Sequence, residues 1–122
     1  MADLENGLWA GDCDKGVNPQ NTALNFTFVT AMAKGGSPTG GFGLKGGDAT
    51  EGVLKTMWEG PYPARYGMKK QGSVILGIGG DNSNGGTGFF FEGALTSGYS
   101  TNAIDDSIQA DIVAAGYSQL IY

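Results

Sequence analysis

Carboxylates are the side chains of this 122-residue chain whose types and spacing suit acid–base chemistry. Near the start, Asp3 and Glu5 point to the same face of an extended chain, and Asn6 follows with an amide that can bind a hydroxyl group. Further along, Asp81 follows Gly80 in a glycine-rich stretch whose backbone a substrate can approach closely. Because two acids on one face repel each other, the pair near the start indicates a functional use.

Glycoside hydrolysis is the reaction that separated carboxylates favour. One carboxyl must protonate the leaving oxygen, and one carboxylate must either attack the anomeric carbon or activate water. The chain has no histidine, which excludes Ser-His-Asp and Cys-His catalysis and every His-ligated metal site. Acid–base chemistry is therefore left to carboxylates, Tyr or Lys. Residue types and spacing leave the choice between the two carboxylate roles open.

Three other interpretations compete for the glycine-rich stretch 77–86. A dinucleotide-binding fingerprint fails, because Asn82 stands where the third glycine belongs and no helical pattern follows. A calcium loop would have Asp81 at position one and Glu92 at position twelve, but Gly88 stands at position eight and both flanks are typical of strands. A turn that joins two strands, with Asp81 in solvent, is the interpretation that the stretch favours when taken alone.

Composition excludes several classes of partner. Seven Lys and Arg residues against twelve Asp and Glu, with no basic cluster, predict that the chain does not bind nucleic acid. No 18-residue apolar run is present for a membrane span, and residues 1–5 lack the regions of a signal peptide. Cys13 is the one cysteine, so no internal disulfide forms, and a partner thiol elsewhere and an unpaired thiol in a turn remain equal alternatives.

Strands are the main elements expected to position these residues. The 23 glycines lie between short apolar runs, which predicts many strands joined by tight turns. Alternating or continuous apolar patterns, bounded by Gly, Pro and Asp, predict strands at 24–32, 41–45, 52–58, 73–78 and 88–95.

The pattern changes to helical spacing after residue 100. Thr101 or Asn102 can cap the start of a helix, and Gly116 can end it. Asp105 and Asp106 lie in its first turn, where the helix dipole favours negative charge. The sequence therefore predicts an all-β fold of mainly antiparallel sheet with one C-terminal surface helix. The apolar residues at helical spacing are Ile104, Ile108, Ile112 and Ala115.

Two long motifs carry a resemblance to a known family. Residues 72–85, GSVILGIGGDNSNG, and residues 91–99, FEGALTSGY, closely resemble glycoside hydrolase family 54, the fungal-type α-L-arabinofuranosidase B group. The similarity extends through 105–115, back to 28–36, and to the Asp-Leu-Glu-Asn motif at 3–6. It covers nearly the whole chain, and it corresponds to the later part of the family's catalytic domain.

The resemblance implies a concanavalin-like β-sandwich of jelly-roll type, which is incomplete in this chain. Residues 1–122 are expected to form a single segment of that sandwich, and the family's arabinose-binding module is absent from them. A sandwich that lacks its earlier strands exposes sheet edges and apolar faces. We therefore expect pairing with the missing part of the catalytic domain or with further copies of the chain.

The same resemblance implies the roles of five residues. Matching of motifs gives Glu5 the role of nucleophile and Asp81 the role of acid/base. Asp3, Asn6 and Gly80 correspond to positions that hold the arabinofuranose. The implied reaction is a retaining removal of terminal arabinofuranosyl groups from arabinan or arabinoxylan by a secreted enzyme, with no metal and no cofactor. The alternative is a non-catalytic structural or sugar-binding protein of the same ancestry that associates with itself.

Overall fold

The computed structural model describes residues 22–62 and 88–118. They form an antiparallel three-stranded sheet in the order β1-β2-β3, so β2 is the central strand, and one helix follows. These elements confirm the predicted all-β fold with one helix near the carboxyl end, whereas the sandwich stays a prediction. The bounds are Val29–Gly35 for β1, Gly41–Asp48 for β2, Lys55–Pro61 for β3 and Asn102–Ala114 for α1.

The predicted strands agree best with the structure at the centre of the sheet. β2 begins at the predicted residue 41 and continues past 45 to Asp48. β1 overlaps the predicted 24–32 but begins at Val29, because Leu24 packs in the core from an irregular segment. β3 starts later than the predicted 52–58, because Gly52 adopts a φ of +74° in the preceding turn.

One predicted strand is wrong, and another falls outside the residues that the structure describes. Residues 88–95 do not form a strand, and their aromatic side chains are exposed rather than paired in a sheet. The apolar composition of that stretch predicted that its side chains would be buried, but the described residues do not bury them. The predicted strand 73–78 lies outside the described residues.

The sheet has an apolar face and a polar face. Along β2, Phe42 and Leu44 point to the apolar face and pack in a small core with Leu24 and Met57. An irregularity in register between β2 and β3 leaves Met57 without a partner residue across the ladder, and Met57 is buried in this core.

The opposite face carries Lys34 of β1 and Lys45 of β2, both buried. Side chains alternate between the two faces along each strand, and the register of β1 with β2 therefore puts Lys34 and Lys45 on the same face as Thr30. Charged side chains on a buried sheet face require polar partners. Helix α1 supplies a carboxylate for both lysines, because Asp105 is one of its two buried residues. The other buried residue, Gln109, donates from Nε2 to the Asp48 carbonyl at 2.7 Å.

The ends of α1 confirm the predicted caps. The Thr101 side chain accepts a hydrogen bond from the Ile104 amide at 3.3 Å, and Gly116 follows the helix with a φ of +71°. The helix nevertheless turns a polar side toward the sheet, whereas Ile104 and Ile108 are exposed. Helical spacing of apolar residues thus located the helix without identifying the side that it buries.

Gly41 allows the close approach of β2 and β3. A Cβ atom at this position would lie 2.0 Å from the Gly60 carbonyl oxygen, so we expect Gly41→Ala to lower the free energy of unfolding by about 2 kcal/mol. The matched control is Gly88→Ala, where a Cβ meets nothing within 4 Å and stability should change by less than about 1 kcal/mol. Urea denaturation measures both, and equal values for the two variants would contradict this strand pairing.

Candidate functional site

The five residues predicted to form the catalytic site are outside the described part of the chain. Asp3, Glu5 and Asn6 precede residue 22, and Gly80 and Asp81 lie between residues 62 and 88. The distances among them therefore stay predictions. The structure instead describes a polar cluster between the sheet and α1, which includes parts of three stretches that carried the family resemblance, 28–36, 91–99 and 105–115.

Asp105 is the centre of this cluster. Its side chain is completely buried, and its Oδ2 atom accepts from Lys34 Nζ at 2.7 Å and from Lys45 Nζ at 2.8 Å. The second oxygen, Oδ1, accepts from Ser100 Oγ at 2.5 Å. The carboxylate therefore joins two neighbouring strands to the first turn of the helix, and both of its oxygens are occupied.

The two lysines carry one more positive charge than Asp105 can neutralise, and neutral polar and aromatic groups stabilise the excess charge. Lys34 Nζ also donates to the Ser100 carbonyl at 2.8 Å and lies 4.2 Å from the centre of the Tyr99 ring. Lys45 Nζ donates to Asn102 Oδ1 at 2.8 Å. The segment that leads into the helix thus supplies a carbonyl, an amide and an aromatic face that make two buried ammonium groups tolerable.

The charges around the cluster determine its protonation. Burial by itself raises the pKa of Asp105, but hydrogen bonds from Lys34, Lys45 and Ser100 outweigh burial and hold that pKa below its usual value. Burial also raises the pKa of Tyr99, and the adjacent Glu59 carboxylate raises it further. Tyr99 therefore keeps its proton, and its hydroxyl donates to Glu59 Oε1 at 3.3 Å.

An open depression of about 360 Å³ lies beside the cluster. Its hydroxyl, amide and carboxylate groups can hydrogen-bond a small polar molecule, but Glu59 is the one carboxylate that lines it among the described residues. The described residues therefore do not give this depression the pair of acids that glycoside hydrolysis requires. The lining residues are Ser37, Pro38, Thr39, Glu59, Tyr99, Ser100, Thr101 and Asn102.

Residues 22–62 and 88–118 contain neither a metal-binding group nor a membrane-spanning helix. No group of three or more Cys, Asp or Glu side chains there could hold a metal ion. No helix in these ranges is long and apolar enough to cross a membrane.

The cluster was not predicted from the sequence, although one of its members, Asp105, was singled out. Asp105 was expected in the first turn of the helix, and the structure places it there. Its ion pairs were not expected, because partners 71 and 60 residues away leave no local pattern. The available signal was Lys45, a cation within a strand of glycine and apolar residues that is buried along nearly all of its length.

Comparison with known proteins identifies the family. Residues 1–118 match the family described as "Alpha-L-arabinofuranosidase B, catalytic", so the chain belongs to it. The match includes both segments that carry the predicted catalytic residues. No solved structure matches the chain.

Named relatives agree with this assignment. An "Arabinofuranosidase/B-xylosidase" from Trichoderma koningii is 48% identical over 121 residues, which are 97% of this chain and 24% of that protein. A probable alpha-L-arabinofuranosidase B from Aspergillus flavus is 47% identical over 97% of this chain and 23% of its own length. Alpha-L-arabinofuranosidase B from Aspergillus niger is 45% identical, with shares of 96% and 23%. The chain therefore spans about a quarter of these relatives.

Burial of the Asp105 carboxylate predicts that its loss strongly lowers the free energy of unfolding. Asp105→Asn leaves Lys34 and Lys45 buried without a counter-charge, and we expect it to lower the free energy of unfolding by about 3–5 kcal/mol. Asp106→Asn, at an exposed position in the same turn, is the matched control and should cost less than about 1 kcal/mol. Urea denaturation of both variants at neutral pH measures the difference. Similar losses in the two variants would contradict the role assigned to Asp105.

The lowered pKa of Asp105 also predicts how stability depends on pH. The unfolded chain binds a proton at this carboxyl near pH 4, whereas the folded chain binds it only at lower pH. The stabilisation is therefore complete above about pH 5 and is lost as pH falls through the folded-state pKa. The stability difference between the wild-type chain and Asp105→Asn should shrink from neutral pH toward about pH 3, as measured by denaturation across that range. A difference that does not change with pH would oppose this account.

Proposed function

We propose that this chain contributes the two catalytic carboxylates of a retaining α-L-arabinofuranosidase and works as the later part of a larger catalytic domain. The observation that carries the proposal is the family match over residues 1–118, which includes Glu5 and Asp81. Relatives named as arabinofuranosidases support the same reaction. The proposed substrate is a polysaccharide with terminal arabinofuranosyl groups, such as arabinan or arabinoxylan, and the proposed location is extracellular.

In the first step of the proposed reaction, Glu5 attacks the anomeric carbon and Asp81 protonates the departing oxygen. The bond from the sugar to the leaving group breaks as the bond to the Glu5 carboxylate forms, which gives a covalent arabinofuranosyl-enzyme. A retaining pair works at a separation of roughly 5–5.5 Å, because no water has to fit between the carboxyl and the sugar. The negative charge of Glu5 favours the protonated form of its neighbour at this stage.

The second step reverses the proton transfer. The covalent bond removes the charge of Glu5, so Asp81 ionises more easily and can accept a proton from the incoming water. That water attacks the anomeric carbon, and arabinose leaves with its original configuration while the Glu5 carboxylate is restored. No metal or cofactor takes part in this sequence.

Three further residues are proposed to hold the sugar. Asp3 and Asn6 offer a carboxylate and an amide to the hydroxyl groups of the arabinofuranose. Gly80 offers its backbone at a position where the absence of a side chain permits close approach. Asp3 lies two residues before Glu5, and Asn6 and Gly80 directly adjoin Glu5 and Asp81. This closeness in sequence favours a role in orienting the anomeric carbon.

The need for a larger domain follows from the share of the relatives that the chain covers. About three quarters of their length lies outside the match, and the carboxylates require a pocket to act on a sugar. The name of the Trichoderma koningii protein adds β-xylosides as a second substrate class to examine. A non-catalytic, self-associating protein is the second candidate, and the exposed phenylalanines at 89–91 favour it.

Release of 4-nitrophenol from 4-nitrophenyl α-L-arabinofuranoside tests the proposal. The chain is co-expressed with the sequence of the Aspergillus niger relative that lies outside the matched stretch, and Glu5→Gln should lower turnover by about 10⁴-fold or more. Asp81→Asn should lower it less, by about 10²-fold, because nitrophenolate leaves with little need for a proton. The exposed Asp106→Asn is the control and should keep wild-type turnover.

Two results would count against the assignment. Full turnover in Glu5→Gln would exclude that residue as the nucleophile. A folded assembly that releases neither nitrophenol from the arabinofuranoside nor from the β-xyloside would favour the non-catalytic candidate.

A further inference from the structure

An aromatic patch lies on the surface of the described structure. We define it by Phe28, which precedes β1, by Phe89, Phe90 and Phe91, and by Tyr117, which follows α1. The three consecutive phenylalanines are 91%, 68% and 56% exposed. Single exposed apolar residues are common on proteins, but three in succession within a ring cluster are not.

Contacts between the rings hold most of the patch in place. The Phe91 ring lies 5.5 Å from the Phe28 ring and 5.3 Å from the Tyr117 ring, and Phe28 stacks on Tyr117 at 5.7 Å. Phe89 contacts the same group at 6.4 Å from Phe91, and the Tyr117 hydroxyl donates to Glu92. The irregular segment 88–95 is thus anchored between the start of the sheet and the end of the helix. Such anchoring lowers the entropy cost of binding a partner.

The patch presents a sizeable apolar area. The exposed parts of Phe89, Phe90 and Phe91 together present on the order of 400 Å². This area lies within the range of the largest apolar patch on a typical soluble monomer, and such patches are often functional. Helix α1 shows the same imbalance, since it buries Asp105 and Gln109 and exposes Ile104 and Ile108. The described structure therefore leaves apolar side chains outside while a polar interface lies inside.

We propose that the aromatic patch is the surface on which the rest of the family's catalytic domain docks. This inference rests on the proposed function, because it assumes that the chain works as one part of that domain. The relatives supply the occupant: about three quarters of their length lies beyond the stretch that corresponds to this chain. A second copy fits less well, because each copy has a net charge of −5 and brings Glu92 to the patch.

Binding between two polypeptides tests this surface directly. The full 122-residue chain is co-expressed with the part of the Aspergillus niger relative that lies outside the matched stretch, and the complex is isolated by size exclusion. The variant Phe89→Ser/Phe90→Ser should weaken that complex by at least about tenfold, because exposed aromatic anchors dominate binding energy. Val53→Ser is the matched control, since Val53 is 78% exposed and is not part of the patch, and its affinity should equal that of the wild type.

Hydrogen exchange locates the surface without any substitution. Amides in 88–95 should gain protection in the complex, whereas those in the turn at 50–53 should exchange as in the free chain. Wild-type affinity in the double variant, or protection that bypasses 88–95, would overturn the proposal. So would a chain that binds only further copies of itself. A complex that depends on the patch but releases no arabinose would contradict the proposed function and leave the docking surface supported.

Discussion

The position of one buried carboxylate, Asp105, determines how the described elements fit together. A carboxylate with no access to water must be fully paired, and Asp105 meets this need with one lysine from each of two adjacent strands and one serine hydroxyl. The lysines in turn need a carbonyl, an amide and an aromatic ring from the segment that enters α1. Helix and sheet are therefore joined by charge and hydrogen bonds, and the sheet keeps its apolar core for the opposite face.

This arrangement explains which features the sequence could predict. Helix α1 was predicted to its caps, because Thr101 and Gly116 act through their own backbone neighbourhood. β2 was predicted because glycine and apolar residues alternate over a stretch that is buried on both sides. The stretch 88–95 was wrongly predicted as a strand, because apolar composition does not say whether the partner that buries it belongs to the same chain. The ion pairs of Asp105 were missed, because contacts across 60 or more residues leave no periodicity.

The family assignment and the described structure bear on function in different ways. The match over residues 1–118 makes the chain a member of the alpha-L-arabinofuranosidase B catalytic family, and the roles proposed for Glu5 and Asp81 come from its motifs. The described residues supply an anchored sheet and helix, and the depression beside the Asp105 cluster is lined by one described carboxylate, Glu59. Their exposed phenylalanines and their quarter share of the relatives' length are both consistent with one portion of a larger domain.

Identification of the residue that bonds to the sugar tests the proposed role of Glu5 as nucleophile. The co-expressed assembly is treated with an arabinofuranosyl inhibitor that forms a covalent adduct with a retaining nucleophile, and the labelled peptide is sequenced by tandem mass spectrometry. We expect one added sugar mass on Glu5 and none when substrate is present in excess. A label on another residue, or turnover that continues in an assembly labelled at Glu5, would contradict this role.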